Sequence, residues 1–334
     1  MATTNKINWL LILQGWAMLW VVIGHSGPCN SVDDYPSYAF EIWTVAYSFH
    51  MDLLMFVSGW LFYWTRMRDE VVEKWPYGKI IADKLKHLGI PFVVFTLITM
   101  VIKVVFASEV ERASSLSIGE FLNAIIYPYN GPARELWFIG TLMWMFVLVW
   151  LWKISLKNKV TVAGTILTLI ALKYFGVETE FLSLGRVCRF AIFFYLGIIV
   201  CKEGIIEQLI IHKNAPIALL LAGAVIYVLG RYFHEGFLVA IGGIIASLAL
   251  ALILDNHLPK TFFTFRNYTM QIYLIGIFAQ MAVKMVRLHG GYPFSLFYVI
   301  SLIAGLYVPV IIAKLLERIN WEPLLLCVGM KKKK

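Results

Sequence analysis

The chain runs to 334 residues, of which 60% are hydrophobic and only 15% charged, with a mean hydropathy of +0.77. Soluble domains carry about 45–50% apolar and about 25% charged residues, so this chain has too few charges to cover a water-exposed surface. Cytosolic globular folds, secreted disulfide scaffolds and nucleic-acid binding are excluded together, despite a net charge of +9.

In chain order, ten apolar runs of 16–24 residues are candidates for the crossings of about 20 residues that a bilayer needs. They lie at 8–25, 41–64, 88–107, 135–152, 160–176, 186–201, 215–230, 237–254, 268–286 and 294–313. The connections are too short to hold a water-soluble domain. Residues 1–334 are therefore expected to form one integral membrane domain, an all-α polytopic bundle of about ten transmembrane helices. Lys6 ahead of the first run fits a secretory signal, but no small-residue cleavage pattern follows, which predicts an uncleaved first helix.

Sidedness follows from the basic residues. With the N-terminus inside and alternating spans, inside segments collect roughly two thirds of the 29 Lys and Arg, from Lys6 through the Arg66–Lys86 group to the four C-terminal lysines. The loop after the first run carries Asp33 and Asp34 and no Lys or Arg. Both termini are predicted cytoplasmic, and the positive balance is mostly topology, helped by anionic headgroups at about 1 kcal/mol per basic residue. Cys29, Cys188, Cys201 and Cys327 show neither disulfide nor zinc spacing, and no metal site is expected.

Ionisable side chains inside spans are the informative ones, because each costs roughly 2.5–3.5 kcal/mol at a helix centre. His25 closes the first run in Gly24-His25-Ser26, and His50 and Asp52 sit in the middle of the second. At a rise of about 1.5 Å per residue Asp52 has no route to the interface, so it needs a cation, a histidine or a wet cavity. It fits either polar glue between helices or a carboxylate that orients a base. His25 fits either a hydrated interfacial histidine or a general base, since a pKa near 6.5 suits proton abstraction at neutral pH. Glu41, at the outer start of the second span, is the alternative orienting carboxylate. His50 and Asp52, two apart, do not share a helix face, so one of them is expected to face His25. Cys29 lies four residues after His25, but Pro28 intervenes and a Cys–His pair is not expected.

The stretch Gly15-Trp16-Ala17-Met18-Leu19-Trp20-Val21-Val22-Ile23-Gly24-His25-Ser26 resembles the first helix of the acyltransferase 3 family of integral membrane acyltransferases, which ends in a histidine. Four later stretches resemble that family in order and spacing. They are Phe49-His50-Met51-Asp52-Leu53-Leu54-Met55-Phe56-Val57-Ser58-Gly59-Trp60-Leu61, the basic Lys84-Leu85-Lys86-His87-Leu88-Gly89-Ile90-Pro91, Glu135-Leu136-Trp137-Phe138-Ile139 and Phe193-Phe194-Tyr195-Leu196-Gly197. Ala313–Arg318 followed by Gly329 also fits. The sequence departs from the pattern at three places. Gln14 stands where many members carry arginine, Gly276 where a histidine is frequent, and lysines with His87 where arginines start the third helix.

The resemblance implies transfer of an acyl group, commonly acetyl, from acyl-CoA to a hydroxyl of an envelope or exopolysaccharide sugar. The protein would act in a bacterial cytoplasmic membrane. Acyl-CoA would be a co-substrate with no bound cofactor, and the partners would be the bilayer and a carbohydrate or lipid-linked glycan. His25 would be the base, with Asp52 or Glu41 orienting it. Lys84, Lys86 and His87 would hold the donor phosphates, unless that segment only anchors the protein by its charge. Gln14, Ser26 and Arg134, beside Glu135, are candidate oxyanion donors. Arg186 and Arg189 would hold an anionic acceptor or serve as interfacial anchors. Trp9, Trp43, Trp64 and Trp75 fit an aromatic belt, leaving Trp137 as the tryptophan to test. A transporter of a glycan or acyl-bearing intermediate, or an inactive partner of a glycan assembly complex, is the alternative. No internal symmetry of the transporter kind is visible.

Overall fold

The computed structural model describes residues 8–26, 36–107, 114–212, 214–255, 264–290 and 293–332. Cys29, Asp33, Asp34 and Lys6 lie outside the described residues. Helices make up the regular structure, and no strand occurs among the described residues. In chain order they are α1 (Asn8–Ser26), α2 (Ser37–Phe62), α3 (Asp69–Val72), α4 (Tyr77–Lys84) and α5 (Ile90–Val105). Then follow α6 (Ile118–Ile126), α7 (Trp137–Val147), α8 (Val149–Ser155), α9 (Lys159–Phe175), α10 (Leu184–Lys202) and α11 (Ile205–Ile211). The last are α12 (Ala215–Tyr232), α13 (Gly236–Leu254), α14 (Thr269–Gly290), α15 (Phe294–Ile319) and α16 (Glu322–Cys327).

Among the described residues, eight helices are long and apolar enough to cross a membrane, and α7 with α8 makes a ninth if that pair, bent by 54°, is one span. The expected tenth, 160–176, is α9. Its 17 residues span only about 26 Å, short of the roughly 30 Å hydrocarbon core. The second span is longer than expected, running Ser37–Met67, and the third begins at Tyr77 rather than 88. The segment read as a basic loop is thus largely helical. Pro91 has no N–H to bond the carbonyl four residues back. The chain passes it through a π-helical turn at Leu85–Gly89, where the Ile90 N–H bonds Leu85 O. Such widened turns often mark functional segments, and a second one, Tyr63–Met67, carries Arg66.

The chain divides into two compact units. The first takes the described residues up to Val57 together with Glu203–Arg318; the second takes Ser58–Lys202 and the residues from Ile319 onward. In the first unit, α12 and α13 meet backbone to backbone. A Cβ on Gly223 would lie 2.6 Å from Ala246 N, and one on Gly230 2.6 Å from Val239 N. Lipid offers no hydrophobic drive between helices, so close approach of small residues supplies the contact. The opposite side of α12 presents Leu221, Val225 and Val228 outward. The indole N–H of Trp16 on α1 donates to Ser247 Oγ on α13 at 3.1 Å.

The second unit is built on aromatic rings. Trp60, Phe62, Phe193, Phe194 and Tyr195 are fully buried. Phe194 packs against Phe62 at 5.8 Å and Phe146 at 5.9 Å between ring centroids. A Cβ on Gly59 would overlap the Phe194 carbonyl. Two stretches far apart in sequence, Ser58-Gly59 and Phe193-Phe194-Tyr195, therefore meet at one point where only glycine fits. Gly59→Ala should destabilise the protein by at least about 2 kcal/mol through overpacking. Gly164→Ala, where an added Cβ meets nothing within 4 Å, should be neutral or gain up to about 1 kcal/mol of helix propensity. Thermal unfolding of the two detergent-purified variants checks the contrast.

Candidate functional site

In the first unit, the last turn of α1 is tied down by hydroxyl and amide groups. Ser26 is fully buried, and its Oγ donates to Val22 O at 2.9 Å. Gln280 Nε2 on α14 donates to Ser26 Oγ at 2.7 Å and to Val22 O at 2.9 Å. Ser301 Oγ on α15 donates to Ser26 Oγ at 3.3 Å. Ser26 thus gives its proton to its own helix, and its hydroxyl ties the end of α1 to α14 and α15. Gln14 shares the His25 face of α1 and lies eleven residues, or about 16 Å, along the axis from it.

Gly276 has a steric reason. A Cβ there would lie 2.8 Å from Gly305 O, so α14 and α15 leave no room for a histidine. Gln280, one turn further on, brings the polar group of α14 to the end of α1 instead. Sequence reasoning passed over Gln280 because, outside the stretches that resemble the family, it looked inside the spans for ionisable residues. An uncharged amide inside a span also demands partners, and that was the available signal.

His25, at the end of α1, sets its ring edge-on to Tyr47 of α2, with centroids 6.2 Å apart. A Cβ on the preceding Gly24 would lie 2.9 Å from Tyr47 Cε2, so glycine admits the ring that positions the histidine. Tyr47 also meets His50, at 5.0 Å. His50 is buried, and its Nδ1 lies 2.6 Å from Ala46 O. A carbonyl can only accept, so Nδ1 carries the proton, and in the neutral ring Nε2 is left as an acceptor. Of the two candidates on α2, His50 is the one on the His25 side. At about 100° per residue, Asp52 lies about 140° around the helix from Tyr47 and Glu41 about 120°. Asp52 is half-buried and Glu41 exposed.

In the second unit, the basic segment is organised by two carboxylates. Asp83 meets Arg66 Nη2 at 3.2 Å, His87 Nδ1 at 3.3 Å and Lys331 Nζ at 3.2 Å. Glu322 of α16 meets Lys86 at 3.0 Å. That ammonium holds the exposed Glu322 carboxyl below its usual range, by hydrogen bond first and charge second. Lys84 Nζ sits 4.2 Å over the Phe146 ring, while Arg66 and Arg68 cover Trp75 and Trp64 at 3.5 and 3.6 Å. Lys84, Lys86 and His87 thus belong to a set of basic side chains held in place by aromatic rings and carboxylates.

A second cluster of the same unit gathers Arg134, Trp137 and Arg186 around Tyr129, a residue the sequence did not single out. Arg134 hydrogen-bonds the Tyr129 hydroxyl and lies 4.0 Å over its ring. Arg186 lies 3.4 Å over the Tyr129 ring and 4.6 Å over that of Trp137. It also donates twice to Glu180, at 3.0 and 2.9 Å. Flanked by rings and bonded in bidentate fashion, Arg186 pins this cluster. Arg189, three residues on, is exposed, so the two arginines occupy different surroundings. Trp137 also packs on Phe190 at 5.1 Å. Glu135 is half-buried beside them.

The acyltransferase-domain profile of the acyltransferase 3 family matches residues 7–314. The chain belongs to that family. It is a multi-pass membrane acyltransferase. No curated protein and no solved structure matches the chain. The matched range of this acyltransferase runs from α1 into α15 and includes His25, His50, Gly59 and the Lys84–His87 segment. It stops before α16, so Glu322 and Lys331, which bond the basic segment, come from beyond it.

Gln280→Leu should cost about 1–3 kcal/mol, because the buried Val22 carbonyl and Ser26 hydroxyl lose a donor. Gln280→Glu should cost more, since a carboxylate cannot donate to either. Thermal unfolding of the membrane-extracted variants checks both.

Proposed function

We propose that this acyltransferase moves an acetyl group from acetyl-CoA, supplied from the cytoplasm, to a hydroxyl of an envelope or exopolysaccharide sugar. The setting is a bacterial cytoplasmic membrane with both chain termini inside, a topology supported by the distribution of Lys and Arg. The observation that carries the reading is His25. The family profile spans it, and the closing turn of α1 is locked by Ser26, Gln280 and Ser301.

The chemistry needs a base because a sugar hydroxyl is a poor nucleophile at neutral pH. His25 takes the hydroxyl proton as the oxygen attacks the thioester carbonyl. The carbon–sulfur bond then breaks, and the imidazolium returns the proton to the leaving thiolate, so the histidine ends neutral. A positioned base contributes about 10²–10⁴-fold. Asp52 and Glu41 of α2 are the candidate carboxylates for stabilising the imidazolium. Lys84, Lys86, His87 and Arg66 receive the donor phosphates, which compete with Asp83 and Glu322 for the same cations. Tyr129, Arg134 and Trp137 form a polar and aromatic surface in the second unit.

The test is transfer of labelled acetyl from acetyl-CoA to envelope oligosaccharides by the purified protein in nanodiscs. His25→Ala should lower turnover by at least about 100-fold with normal membrane insertion; wild-type turnover would remove the base assignment. Sugar flux in proteoliposomes without a donor would favour export instead. Charge reversal at Lys84 and Lys86 should raise the Michaelis constant for acetyl-CoA about tenfold or more; an unchanged constant would return the segment to anchoring alone.

A further inference from the structure

The outer turns of α2 carry two stripes side by side. Phe40, Trp43 and Tyr47 recur at helical spacing on one face. Phe40 stacks on Trp43 at 5.7 Å and 24°, and Trp43 tilts against Tyr47 at 4.7 Å and 34°. Tyr47 then meets His25. Phe40 and Tyr47 remain 53% and 44% exposed. One step around the helix run Glu41, Thr44 and Ser48, at about 60–120° from the Tyr47 position. Glu41 is exposed. Thr44 Oγ1 donates to Phe40 O at 2.9 Å, and Ser48 Oγ pairs with Tyr227 Oη of α12 at 3.1 Å. Each hydroxyl oxygen keeps acceptor capacity beyond those bonds.

We infer that this double stripe is the acceptor-binding surface, with the rings stacking on sugar faces and Glu41, Thr44 and Ser48 bonding the hydroxyls. The inference rests on the reading of the protein as a sugar acyltransferase. The axial C–H bonds of a pyranose form a weakly positive apolar face, which suits the negative face of an aromatic ring. The equatorial hydroxyls around the rim need acceptors, and a carboxylate is the strongest available. From Phe40 to Tyr47 the helix rises about 10 Å, the length of about two sugar rings. The row ends at the imidazole that takes the proton.

A membrane-interface belt accounts for aromatic residues near a span end, but it requires neither an ordered row nor a carboxylate beside it. The other tryptophans assigned to such a belt are otherwise engaged. Trp9 is buried, and Trp64 and Trp75 lie under Arg68 and Arg66. Trp137 is covered by Arg186 and Phe190. Trp43 is the one whose stacked neighbours lead to the base.

The probe is the pool of oligosaccharides released from the host's own envelope by mild acid, titrated into the full-length protein in nanodiscs by calorimetry. Trp43→Ala and Phe40→Ala should each weaken binding about tenfold, and Trp43→Phe should recover most of the loss. His25→Ala should bind the pool as wild type does while transferring no acetyl. The inference is overturned if wild type binds none of the pool. It is equally overturned if Trp43→Ala binds as tightly as wild type and only melts earlier, the result of a belt alone. A His25→Ala protein that still transfers acetyl removes the base assignment and leaves the binding result standing. Should Trp43→Ala fail to fold, the exposed Phe40→Ala and the conservative Trp43→Phe decide the matter.

Discussion

Polar groups inside a bilayer have no water to turn to, and the last turn of α1 is arranged around that constraint. The Val22 carbonyl and the Ser26 hydroxyl are both buried among apolar helices. Gln280 from α14 donates to each of them, and Ser301 from α15 adds a bond to Ser26. A side chain that satisfies two groups on another helix fixes both position and rotation of that helix. His25, the neighbour of Ser26, inherits the rigidity. On its other side Gly24 admits Tyr47, whose ring meets both His25 and His50. In the proposed role as a base His25 would have to be held within a fraction of an ångström, and packing and hydrogen bonds hold the end of α1 from two sides.

The basic segment of the second unit solves a different problem. Cations gathered at one place repel each other unless something opposes them. Asp83 and Glu322 oppose them through charge, and Trp64, Trp75 and Phe146 through their ring faces. Exposed ion pairs of the Lys86–Glu322 kind contribute little stability, because solvent screens both charges. They are consequently easy for a polyanion to displace. Lys86, ordered yet weakly engaged, would suit the phosphate-bearing donor of the proposed reaction.

Much of this was legible in the sequence. Composition alone fixed the class, and the apolar runs located all the long helices, because lipid permits only one solution for a spanning segment. The ordered stretches that pointed to the family also proved to be packing points. Gly59 and Phe194 touch, and the Pro91 stretch is where the helix widens. What the sequence concealed was rotation and partnership. The basic segment looked like a loop because its charges mask a helical period. Asp52 was the costliest residue in its span, yet His50 lies on the face that meets Tyr47 and His25. Ser26 and Arg186 looked available, and their bonding to Val22 and Glu180 becomes visible only when partners are placed. Gln280 and Tyr129 lie outside both the acidic and basic residues and the stretches that resemble the family, so sequence reasoning did not pick them out.

The central claim is that this membrane acyltransferase decorates envelope sugars. Mass spectrometry of envelope glycans from cells with and without the gene tests it most directly. The account predicts an acetyl-bearing glycan that disappears with the gene and returns with a plasmid copy. Identical glycan acylation in both strains would contradict it.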